Sequence, residues 1–78
     1  MTTLDRDRYQ EFLSRLRQAR QDARMTQVEV SLRLKQHQAF ISRCETGERR
    51  VDFVELEILA EVYGKPVTFF LTKTKGRR

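Results

Sequence analysis

MTQVEVSLRLKQHQAFISRCETG, residues Met25–Gly47, decides the fold. Thr26 offers a hydroxyl to the free N–H groups of a starting helix, and Glu29 stands three residues later, which completes a Thr-x-x-Glu capping box. The spacing predicts a helix over Gln27–Leu34. Lys35-Gln36-His37 interrupts the apolar period between Leu34 and Phe40 and has the length of a tight corner between two helices. A further helix is predicted from near Gln38, with Phe40, Ile41 and Cys44 inward and Gln38, Ala39, Ser42, Arg43 and Thr46 outward. Gly47 ends it, since glycine enters the left-handed conformation without a Cβ clash. Two short helices thus meet across a corner, and the outer side of the second carries long hydrogen-bonding side chains.

Upstream, Tyr9, Phe12, Leu13, Leu16, Ala19 and Ala23 recur at three- and four-residue steps, predicting a helix over Asp7–Arg24. Downstream, Asp52 caps another helix with Glu55 three residues on, and Phe53, Leu56, Leu59, Ala60 and Tyr63 form its inward stripe. Gly64 closes that helix and Pro66 prevents its continuation. Val67–Leu71 reads as a short helix opened by Pro66 or as a short strand, and periodicity does not separate the two. The expected organisation is an N-terminal arm at 1–8, one all-α domain at 9–71 and a basic tail at 72–78.

A chain of 78 residues has room for one modest core, so stability must come from close helix packing or from a partner subunit. Sixteen Lys and Arg against eleven Asp and Glu give a net charge of +5, which favours polyanions without naming one. The distribution says more. Arg49 and Arg50 follow the second corner helix, Lys73, Lys75, Arg77 and Arg78 load the tail, and Glu55, Glu57 and Glu61 collect elsewhere, as a face meeting phosphate requires. Cys44 has no second cysteine to pair with and is expected to be a small core residue. No spacing suits a metal site, no nucleophile–base set or phosphate loop suggests catalysis, and no cofactor is expected. The lack of a long apolar run or a signal-peptide pattern predicts a soluble cytoplasmic protein with no membrane partner.

In order and at the right spacing, Leu16-Arg17-x-x-Arg20, Met25-Thr26-Gln27, Ile41-Ser42-Arg43-x-Glu45-x-Gly47 and Leu59-Ala60-Glu61-Val62-Tyr63-Gly64 resemble the lambda-repressor-like helix-turn-helix family. This is the Cro-like or xenobiotic-response-element type of bacterial and phage regulators, and the likeness runs from about Tyr9 to Leu71. It implies a compact five-helix bundle that reads double-stranded DNA. Base contacts would fall to Gln38, Ala39, Ser42 and Arg43, and phosphate contacts to Gln27, Thr46, Arg49 and Arg50. Arg20 and Glu45 match a family ion pair joining the first helix to the third.

Chemistry leaves some of these roles open. Arg43 suits the N7 and O6 of guanine, and otherwise serves as a phosphate contact or a solvated arginine. Gln38 suits adenine or phosphate, and Ala39 a thymine methyl. Phe69, Phe70 and Leu71 either complete the core or form a homodimer contact, and a mixture is expected; a two-fold dimer would set two reading helices about 34 Å apart on a palindromic site. The family usually has glycine where this chain has Arg24 and Lys35, so either the corner differs or both positions carry strain. His37 stands where Ser or Thr often caps the reading helix, and Ser31 where a small Ala is customary. Val28 and Leu32 replace polar residues, which supports a second possibility: a protein-interaction module, such as an antitoxin-like or complex-tethering partner.

Overall fold

Where the caps and the apolar period lead, helices form. The computed structural model describes residues 6–72, and among them the elements are α1 (Arg6–Asp22), α2 (Gln27–Arg33), α3 (Phe40–Thr46), α4 (Phe53–Tyr63) and a 3₁₀ turn at Val67–Phe70. There is no strand among the described residues. The architecture is all-α, with four α-helices and a terminal turn where a fifth helix was expected. Pro66 sits in extended backbone ahead of that turn, and the bonds from Phe69 N–H to Pro66 C=O and from Leu71 N–H to Thr68 C=O close 3₁₀ rings. Four residues give too few partners for an α-helical ladder. α1 starts at Arg6, inside the expected arm, and Lys73, Lys75, Arg77 and Arg78 of the basic tail lie outside the described residues.

Both predicted capping boxes form. Thr26 Oγ accepts from Glu29 N–H at 3.0 Å while Thr26 N–H donates to the Glu29 carboxylate at 2.7 Å, and Asp52 with Glu55 repeats the arrangement at 2.8 and 3.0 Å. All four helices also leave through a left-handed residue, Arg24, Lys35, Gly47 and Gly64 in turn. At the end of α1, Met25 N–H reaches back to Arg20 C=O, and at the end of α2, Gln36 N–H reaches Ser31 C=O, the wide bond of a Schellman closure. The corner therefore keeps glycine-type geometry although Arg24 and Lys35 occupy it at φ of 59° and 60°. That conformation costs a side-chain-bearing residue roughly 1–2 kcal/mol, partly offset because glycine gains more freedom when unfolded. Lys35 is exposed, so Lys35→Gly should stabilise the domain by about 1 kcal/mol and raise Tm by roughly 4–8 °C. A thermal melt checks this; a lowered Tm would show that the lysine makes a contact outweighing its backbone strain.

The core is built from Leu13, Leu16 and Ala19 of α1, Val30 of α2, Ile41 and Cys44 of α3, Leu59, Ala60 and Tyr63 of α4, and Phe70. α1 is its centre, touched by α3, α4 and the 3₁₀ turn. Two expectations are corrected here. Phe53, expected on the inward stripe of α4, is 64% exposed, and Val51, just before the cap, packs against the core instead. Phe70, open between core and dimer contact, is 2% exposed and lies edge-on to Phe69 at 5.2 Å between ring centroids, so it belongs to the core of its own chain and not to a dimer contact. Arg15 fastens this segment to α1 by donating to the Phe69 carbonyl at 3.2 Å, and Lys65 pairs with Asp22 at 2.9 Å. The Lys65 ammonium also holds the Asp22 carboxyl below its usual range, chiefly through that bond.

Candidate nucleic-acid interface

α2 and α3 are each seven residues long, too short to persist on their own ladders, so their mutual placement depends on side-chain ties. The principal tie is Glu45, whose carboxylate is 3% exposed on the inner side of α3. Arg20 of α1 donates to it twice, from Nε to Oε2 at 2.7 Å and from Nη2 to Oε1 at 3.1 Å. Gln27, the first residue of α2, adds a third bond from Nε2 to Oε1 at 3.0 Å. Three helices thus share one carboxylate. Arg20 also donates to the Met25 carbonyl at 3.0 Å, and its hydrogen bond to Glu45 raises its already high pKa further. The desolvation of this pair is compensated by complete hydrogen bonding, the condition under which a buried ion pair is tolerated.

At its other end, α3 starts two residues later than the predicted Gln38. His37 to Ala39 form a turn in which Phe40 N–H bonds to His37 C=O, and Ala39 N–H donates to His37 Nδ1 at 3.1 Å. The imidazole therefore closes the turn ahead of α3, while the N-cap residue itself, Ala39, has no side-chain cap. Ser31 is fully buried; its hydroxyl donates to Gln27 C=O at 2.9 Å and accepts Ile41 N–H at 3.0 Å. Burying that hydroxyl is acceptable because donor and acceptor are both engaged.

The outer side of this unit faces solvent. Gln38, Arg43 and Thr46 are exposed, and Ala39 and Ser42 are half-buried beside them. Among the described residues the guanidinium of Arg43 pairs only with Glu48, at 4.0 Å, which leaves it able to extend. Thr46 Oγ1 donates to Arg43 C=O at 3.1 Å and lies 3.4 Å from Glu48 N. Of the residues named for phosphate, Gln27 has its amide nitrogen engaged by Glu45. Arg49 forms a two-pronged pair with Glu55 at 2.9 and 2.6 Å and lies 4.9 Å over the Phe40 ring. That pairing raises the Arg49 pKa and holds the Glu55 carboxyl below its ordinary range. Arg50 is exposed and stacks on Tyr9 at 4.0 Å. Arg49 therefore links the loop after α3 to α4, and Arg50 is the freer cation. Cys44 lies beneath this loop, its thiol pushed up by burial.

Residues 11–68 match the model of a family described as a helix-turn-helix domain. The chain belongs to this family. The match covers both capping boxes, the left-handed corner and the Arg20–Glu45 pair, and is consistent with the lambda-repressor-like type. No curated protein and no solved structure matches the chain. Among the described residues, no helix of this helix-turn-helix domain is long and apolar enough to cross a membrane, and no group of His, Cys, Asp and Glu is arranged to hold a metal.

Two residues of the helix-turn-helix unit escaped the sequence reading as site residues. Arg17 donates from Nη1 to Glu45 C=O at 3.3 Å, which puts an exposed cation of α1 beside the end of α3. Its signal was available, because Arg17 precedes Arg20 by three positions and so lies one turn away on the same side of α1. Ser31 left a weaker trace, a polar residue on the inward side of α2.

Proposed function

We propose that the protein is a sequence-specific DNA-binding transcription regulator, a repressor that occupies promoter DNA as a dimer on a short inverted repeat. The observation that carries this reading is the uncovered outer side of α3 and its preceding turn, where Gln38, Ala39, Ser42 and Arg43 present amide, methyl, hydroxyl and guanidinium groups to solvent. These are the groups that distinguish base pairs in a major groove. Arg50 and Arg17 flank that side as backbone contacts, and Thr46 and Gln27 lie at its borders. Self-pairing is supported by the exposed Leu71 and the half-buried Phe69, together with Phe53, Val54 and Ile58 on α4.

Selection of bound fragments from a random DNA pool tests the reading. Enrichment of an inverted repeat with half-sites about one helical turn apart is the expected result. In the same assay Arg43→Ala should flatten the preference at one base pair of each half-site, a loss of roughly 1–3 kcal/mol of discrimination. Uniform weakening across all sequences would reassign Arg43 to phosphate.

A second reading, a protein-interaction module, is favoured by Val28 and Leu32, both exposed on α2 at helical spacing. Failure of the random pool to enrich any sequence would select it.

A further inference from the structure

We infer that Ser31, from within α2, positions the leading end of α3 and thereby sets the selectivity of the residues that precede it, an inference that rests on the DNA-reading role proposed above. α3 begins without a side-chain cap of its own, since its N-cap residue is Ala39. The N–H of Ile41, in the first turn, is out of reach of water because Ile41 is buried, and its acceptor is the Ser31 hydroxyl at 3.0 Å. The proton of that hydroxyl matters as well: by donating to Gln27 C=O at 2.9 Å, Ser31 fixes the direction in which it accepts.

The two ends of α3 are consequently held by separate devices. Glu45, with Arg20 and Gln27, fixes the trailing end, and Ser31 fixes the leading end, to which Gln38 and Ala39 are attached by the His37–Ala39 turn. Removing the hydroxyl leaves a buried N–H without an acceptor, and the helix relieves this by opening or tilting at that end only. Gln38 and Ala39 lose their fixed approach to the bases. Arg43, one turn closer to the Glu45 tie, keeps its own.

The experiment compares Ser31→Ala with Val30→Ala, a neighbouring core truncation that lowers stability without touching the bond. Amide exchange is followed in the free proteins, and each variant is selected against the random DNA pool, with Gln38→Ala and Arg43→Ala marking the base pairs that each side chain reads. In Ser31→Ala the Ile41 amide should exchange about tenfold faster relative to the Thr46 amide. Preference should fall by about tenfold at the base pair marked by Gln38→Ala and stay unchanged at the one marked by Arg43→Ala. Val30→Ala should lower binding evenly at all positions. An even loss in Ser31→Ala, or an Ile41 exchange rate unchanged relative to Thr46 while the parent protein still enriches a sequence, would overturn this inference alone. A parent protein that enriches no sequence would overturn it together with the proposed function, whatever the exchange rates.

Discussion

Glu45→Ala is expected to destabilise the domain by about 3–5 kcal/mol, the usual loss when one member of a buried ion pair is removed and the other is left behind. Arg20 would remain with a side chain only 14% exposed and two donors without their acceptor, and Gln27 would lose its bond as well. A chain of this size has a total stability of roughly 4–12 kcal/mol, so the variant should be largely unfolded at moderate temperature. Urea titration followed by circular dichroism measures the loss. The double variant Arg20→Met/Glu45→Leu should recover much of it, because replacing the whole pair by apolar volume leaves no stranded charge. A loss below about 1 kcal/mol in Glu45→Ala would mean that water reaches Arg20 and that the three-helix tie carries little energy.

The same network explains which parts of the molecule the sequence made legible. The capping boxes at Thr26 and Asp52 and the stripe Leu13, Leu16, Ala19 are local patterns, and each appears where the pattern put it. Glycine at 47 and 64 likewise marked helix ends. What the sequence concealed was competition between distant partners. Arg49 reads as a free loop cation until Glu55 and the Phe40 ring are found beside it, six and nine positions away. Gln27 reads only as a phosphate donor, and its amide also ties α2 to Glu45, eighteen residues on. The start of α3 moved from Gln38 to Phe40 because the His37 side chain closes a turn that hydrophobic periodicity does not register. Arg24 and Lys35 were a genuine alternative, and the backbone resolved it toward strain: the packing of α1 on α3 and of α2 on α3 demands the left-handed corner whatever residue stands there.

The short run Phe69-Phe70-Leu71 shows how a pattern that is uniform in composition divides in function, and it supports the second large expected effect. Phe70→Ala removes a ring that is 2% exposed, at the point where the 3₁₀ turn packs against both α1 and α4. A buried phenylalanine truncated to alanine costs about 3–5 kcal/mol, from lost transfer energy and from the cavity left behind. Arg15 would still hold the Phe69 carbonyl, so the surrounding backbone has little freedom to collapse into the void. Leu71, 60% exposed, has no comparable burial to lose within its own chain, and Leu71→Ala should change stability by less than about 0.5 kcal/mol. If Leu71 serves self-pairing, that variant should instead lower the apparent mass in sedimentation at a fixed concentration, with its melting curve at high dilution unchanged. Equal destabilisation by the two substitutions would remove the division between them. Loss of pairing in Phe70→Ala with a fully retained melting temperature would return Phe70 to the dimer contact from which its burial has removed it.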